Sequence, residues 1–151
     1  MSFLEKVRKF YLAGLPKSTS QSLSLGQRGE AKAAKFLTKQ RMRVVSRGYR
    51  NHIGEIDLIA VDRTTKPRSI VFIEVKTRTS DLKGLPVEAV DGPKQDRITN
   101  TALVYLKQHH LLECRFRFDI VGILWPASES SPIIHHFRDA FQPTGQGQMF
   151  R

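Results

Sequence analysis

Gly54-Glu-Ile-Asp-Leu-Ile-Ala-Val61 and Ile70-Val-Phe-Ile-Glu-Val-Lys-Thr-Arg78 are the two runs whose reading decides the fold. Both are rich in β-branched and aromatic residues. The polar, proline-containing segment from Asp62 to Ser69 between them reads as a hairpin connection. Side chains alternate across a strand, so Glu55 and Asp57 share one face of the first run, and Glu74, Lys76 and Arg78 share one face of the second. A symmetric closure with Val61 opposite Ile70 sets Asp57 opposite Glu74 and Glu55 opposite Lys76. Residues so opposed have Cβ atoms about 4.5–5.5 Å apart. Two carboxylates held that close repel, and a cation between them relieves the repulsion.

Glu-x-Lys alone is a weak signal, common as an exposed cross-strand pair. Its context strengthens it, because Ile70-Val-Phe-Ile73 is apolar on both faces and predicts a centrally buried strand. Charges at the end of such a strand cost free energy unless something compensates or uses them.

Outward from the hairpin, Ser24 with Gln27 three residues on fits a capping box and opens a helix through about Gln40. Glu30 precedes Ala33, Ala34 and Leu37 by three, four and seven residues, which places it on the core-facing stripe. It either lies at the stripe's edge, paired with a Lys or Arg, or points into a polar site beneath the helix. A strand follows over Arg43 to Tyr49, then a turn over Arg50-Asn51-His52 in which His52 is a loop residue. Thr79 to Asp91 is irregular. Gly92-Pro93 starts a second helix whose apolar stripe is Ile98, Ala102, Tyr105 and Leu106. Lys94 lies on that side, aimed toward the sheet or solvated, and Arg97 adds a second cation to the helix start. A strand over Arg115 to Leu124 and a short one over Ile133 to Arg138 complete the order αβββαββ, an α/β domain around a mixed sheet.

The 151 residues suffice for one domain with a real core. Lys and Arg number 25 against 14 Asp and Glu, a net charge of +11, which is the balance of a protein that meets polyanions. The single Cys114 excludes an intramolecular disulfide and a four-cysteine zinc site. No apolar run is long enough for a membrane span, and residues 1–15 lack the uninterrupted apolar segment of a secretory signal, so the expected compartment is the cytoplasm. A basic amphipathic helix is expected up to about Leu12, and Pro16 to Ser22 reads as a linker. This divides the chain into an extension over 1–23, the main domain over 24–143 and a polar tail over 144–151.

Phosphodiester hydrolysis would use all of the hairpin's charges. Asp57, Glu74 and a backbone carbonyl such as that of Val75 offer hard oxygen ligands suited to Mg²⁺ or Mn²⁺. Lys76 could orient or deprotonate a water or meet a developing oxyanion, and Glu30 could complete or buttress the metal site. A non-catalytic nucleic-acid-binding module and a structural protein with merely solvated charges are the competing readings.

The order of these motifs resembles the PD-(D/E)xK restriction-endonuclease-like superfamily, in a layout close to archaeal Holliday junction resolvases. More closely, Gly29-Glu30, Gly54-Glu-Ile-Asp-Leu-Ile-Ala60, Phe72-Ile-Glu-Val-Lys-Thr-Arg78, Lys94 with Arg97-Ile98, Arg117-Phe-Asp119 and Ala140-Phe141 resemble the bacterial YraN family of predicted endonucleases. Ile56 stands before Asp57 where the superfamily often has proline, which removes no ligand. The resemblance implies a restriction-endonuclease-like mixed sheet flanked by helices and a Mg²⁺-dependent DNA endonuclease, with structured or branched DNA as the candidate substrate. It carries the catalytic set onto Glu30, Asp57, Glu74 and Lys76. Glu55, Lys94 and Arg78 are supporting groups, and Arg50, Arg78, Lys94 and Arg97 are candidate DNA contacts. Junction resolvases cut two strands symmetrically, so the analogy also suggests a homodimer.

Overall fold

The computed structural model describes residues 22–128, 131–145 and 149. The expected basic helix through Leu12, and the linker as far as Gln21, lie outside the described residues. The chain runs through helix α1 (Leu25–Lys39), strands β1 (Met42–Arg50), β2 (Glu55–Asp62) and β3 (Ser69–Arg78), a 3₁₀ turn (Pro86–Ala89), helix α2 (Gly92–Gln108), and strands β4 (Phe116–Leu124) and β5 (Ile133–Phe141). This is the expected order, and the strands form one five-stranded sheet in sequence order. β3 and β4 are parallel and the other neighbours antiparallel. The parallel pair follows from α2, since joining parallel strands requires a crossover.

Each helix begins where its sequence supplies a cap. The Ser24 hydroxyl accepts from the Gln27 N–H at 3.2 Å while the Gln27 side chain accepts from the Ser24 N–H at 2.9 Å. At α2 the Asp91 carboxylate accepts from the Lys94 N–H at 3.0 Å, so Asp91, read as the end of a loop, is the cap that precedes Gly92-Pro93.

The sheet is covered on both faces. Ala33, Ala34 and Leu37 of α1 pack with Leu58, Ala60, Val71, Ile73, Val121 and Ile123. Ile98, Ala102, Tyr105 and Leu106 of α2 pack with Ile59, Ile70, Phe72, Phe118 and Ile120. β3 is buried without interruption from Ser69 to Glu74, as its two-faced apolar run requires. Each large side chain so buried stabilises the fold by about 1.5–3 kcal/mol. Alternation puts Glu74 on the face of Phe72 and α2.

The hairpin register is the expected one from Val61 opposite Ile70 to Leu58 opposite Ile73, and the ladder ends there. The expected pairing of Glu55 with Lys76 does not form: Glu55 lies opposite Arg50 of β1 and bonds it at 2.9 Å. The physical reason is Asp57, whose Oδ2 accepts the Val75 N–H at 2.7 Å and so replaces a main-chain partner at the charged end of the ladder. β5 also runs past the expected Arg138 to Phe141. Asp139 has φ 50 within it, and the β4–β5 register shifts between Phe118 and Ile120, an irregularity that ends a simple alternation pattern.

Candidate metal and phosphodiester site

Glu74 is the group the site is built around. It sits where β3 leaves the core and is only 7% exposed, so its charge needs partners. It has two: Lys76 Nζ at 3.3 Å, from the same face of β3, and Lys94 Nζ at 3.2 Å, from the first turn of α2. Both meet Oε1. Of the two alternatives for Lys94, it therefore points toward the sheet, held there by the Asp91 cap and the Ile98 stripe.

Asp57 enters from the neighbouring strand. Burial pushes its carboxyl up, as do Glu74 and Glu30; the Val75 N–H and Lys94 act in the opposite sense, and the result is a group held at about 7. Glu30 reaches the same cluster from α1. Its carboxyl is raised by burial, then by Glu55 and by Glu74, and among the described residues no Lys or Arg pairs with it. Asp57 is thus a carboxyl that its surroundings make hard to ionise, which marks a concentration of negative charge in low dielectric.

Two close approaches fix the frame. At Gly29 a Cβ would lie 2.9 Å from Thr77 Cβ, so the absence of a side chain lets α1 settle on β3 and carries Glu30 to the site. At Gly122, beside Lys76 in the β3–β4 register, a Cβ would lie 3.1 Å from Pro86 Cβ, so the 3₁₀ turn rests on the sheet.

The remaining candidates are placed more loosely. The Arg78 guanidinium donates to the Lys83 and Gly84 carbonyls at 3.1 and 2.8 Å, tying down the loop between β3 and α2. Arg97 is exposed, with its stem over Gly54. Arg50 pairs with Glu55 at 2.9 Å, so Glu55 does not take the place opposite Lys76 that the symmetric hairpin gave it. Among the described residues no three His, Cys, Asp or Glu side chains already gather as a metal-holding group, and no helix is long and apolar enough to cross a membrane.

Residues 29–123 match the profile described as "Uncharacterised protein family UPF0102". The chain belongs to the UPF0102 family. A UPF0102 protein of Rhodopirellula baltica is 41% identical over 142 residues, covering 93% of this chain and 84% of its own length. Those of Chlorobium limicola and Trichlorobacter lovleyi are 43% and 41% identical, covering 78% of this chain and 92% and 90% of theirs. The matched span runs from Gly29 in α1 to Ile123 in β4 and contains Glu30, Asp57, Glu74, Lys76 and Lys94.

The UPF0102 domain also holds a polar cluster that the linear reading did not assemble. Asp62 and Asp119 are both fully buried. Arg117 bridges them, donating to Asp62 at 2.8 Å and to Asp119 at 2.9 and 3.1 Å. Arg138 reaches Asp62 at 2.6 Å, and His136 meets Asp119 at 2.7 Å. Burial alone would raise Asp62, but Thr64 and Arg117 outweigh it and bring it to about 2. His136, Arg117 and the Asp139 N–H likewise hold Asp119 below the usual range against its burial. Asp62 pairs with Ser69 at the start of β3 and Asp119 with Ile73, so this cluster runs along the face of the strand turned away from Glu74. It joins β2, β4 and β5 and is closed by its own partners. The only sequence signal for it was Arg117-Phe-Asp119 sharing a strand face.

Proposed function

We propose that this chain is a metal-dependent endonuclease that hydrolyses phosphodiester bonds in DNA, with structured or branched DNA as the candidate substrate. One observation carries the reading: Asp57, Glu74, Lys76 and Lys94 converge where β3 leaves the core, with Glu30 in electrostatic reach. The donor set fits Mg²⁺ or Mn²⁺, because its oxygens are hard and Asp57 is raised by burial and then by Glu74 and Glu30, like charges that a divalent cation would offset. Asp57, Glu74 and the Val75 carbonyl would hold the ion, and Glu30 would complete or buttress the set. Such an ion would lower the pKa of a bound water and neutralise phosphate charge.

The chain's own residues supply the rest. Lys76 Nζ, 3.3 Å from Glu74 Oε1, would orient or deprotonate the water, or donate to the phosphate oxygen as charge develops. Lys94 brings a second cation to the same place. Arg97, exposed on the next turn of α2, binds the DNA backbone, and Arg78 braces the loop beside it. Cutting two strands symmetrically calls for two copies, so a homodimer belongs to the branched-DNA version of this reading. Purified protein incubated with nicked, branched and linear DNA is the test. Cleavage that requires Mg²⁺ or Mn²⁺ and stops with chelator is expected; intact DNA of all three kinds counts against the proposal.

A second reading, a nucleic-acid-binding module without turnover, is favoured by the engagement of both lysines with one Glu74 oxygen. It calls for salt-sensitive DNA binding that neither metal nor Asp57→Ala alters.

A further inference from the structure

α1 carries a line of cations that the candidate site does not use. Arg28, Lys32, Lys35 and Lys39 are spaced by four, three and four residues, so they form one stripe along the helix. Arg28, Lys35 and Lys39 are exposed and Lys32 is half-buried. Over 11 positions at the helical rise, the stripe is about 16 Å long. The one acid in α1, Glu30, lies about half a turn away on the inner side. None of the four pairs with a carboxylate among the described residues. A solvated helix face more often alternates its signs, since like charges at these spacings repel and weaken the helix.

The stripe is also partly organised by the fold. The Arg28 guanidinium lies over the Trp125 ring, 4.3 Å from its centroid, and Lys32 Nζ is 5.7 Å from the same ring. Trp125 follows directly on β4 and is tied to β3 through its N–H, which donates to the Arg78 carbonyl at 2.7 Å. A guanidinium held over a ring face keeps N–H groups available for a phosphate.

We propose that this face of α1 is a second nucleic-acid contact, a track on which Arg28, Lys32, Lys35 and Lys39 follow the phosphate backbone of duplex DNA leading away from the carboxylate site. A row one residue wide matches a linear polyanion, with a strand phosphate every 3.4 Å of duplex axis. The row starts two residues from Glu30, so a duplex on the track approaches the candidate site at its Arg28 end. The proposal shares the identity of the polymer with the nuclease reading. It does not require turnover, so it is tested by binding without metal.

The experiment measures binding of a fluorescein-labelled duplex DNA by the full chain in chelator, across a salt series. It compares the native protein with Lys35→Gln/Lys39→Gln and with Lys107→Gln/Arg115→Gln, which removes the same charge from exposed positions at the end of α2 and just before β4. If each lysine meets one phosphate, the α1 pair lowers the slope of log affinity against log salt by about 2 and weakens binding by about tenfold or more, while the control pair stays near native. Thermal unfolding of both variants at the native temperature confirms that the fold is intact. Equal losses in both pairs would reduce the effect to net charge and overturn the track, as would native affinity in the α1 pair or no DNA binding by the native protein. Vesicles of phosphatidylglycerol form a second arm: if the α1 pair loses vesicle binding but keeps DNA affinity, the face belongs to a membrane surface and the proposal fails. DNA cleavage, measured separately, decides the nuclease reading whichever way this result falls.

Discussion

At Gly29 the space between α1 and β3 is already filled by the side chain of Thr77. A methyl group there has nowhere to go, because Thr77 is β-branched and held in the sheet. Gly29→Ala is expected to lower stability by about 1–3 kcal/mol in chemical denaturation, the range for overpacking a tight contact. Asp57→Asn acts the other way: it removes a half-buried charge facing Glu74 and Glu30 while keeping an acceptor for the Val75 N–H, and stability rises by about 1 kcal/mol. Asp62 contributes to the acid sensitivity of the molecule. Its folded-state carboxyl, at about 2, lies below the ordinary 3.8, so its stabilisation is complete above 3.8 and is lost as pH falls through about 2. The shift is worth about 2 kcal/mol. Denaturation of the native protein should therefore lose more stability across that window than that of Asp62→Asn. The charges of Asp57, Glu74 and Lys76 were legible as interruptions of apolar strands. The exchange of Glu55's partner was not, because it depends on Asp57 taking a backbone N–H that the simple register gives to the ladder.

Among the elements, β3 and both helices were legible because each satisfies a single period: two-faced apolar for β3, and the helical stripe with caps for α1 and α2. The far end of β5 was not, since Asp139 at φ 50 breaks the alternation. The Asp62 cluster was hidden for a different reason. Its bonds join residues 55 and 76 positions apart, a separation at which only the folded sheet brings partners together. The loop between β3 and α2 has a definite anchor in Arg78, and losing both carbonyl contacts removes about 1 kcal/mol of local stability. Arg78→Ala should accordingly let trypsin cut after Lys83 about fivefold faster while the global unfolding transition stays close to native.

Across the whole molecule, the net charge of +11 and the concentrated acids do different work in one account. Under the proposed function the acids at the end of β3 would hold a divalent cation, and the cations of α1 and α2 would meet phosphate. The charge balance pointed to a polyanion from the sequence alone, whereas the α1 stripe became visible only once the helix face was known to be solvent-exposed and Arg28 was seen on Trp125. The proposed function rests on hydrolysis at Asp57 and Glu74. The most direct measurement is cleavage of a branched DNA substrate in Mg²⁺ by the native protein beside Asp57→Ala and Glu74→Ala, each checked for folding. Cleavage by the native protein, with a loss of about a hundredfold or more in each variant, is the result predicted; equal cleavage by all three, or none by the native protein, would contradict it.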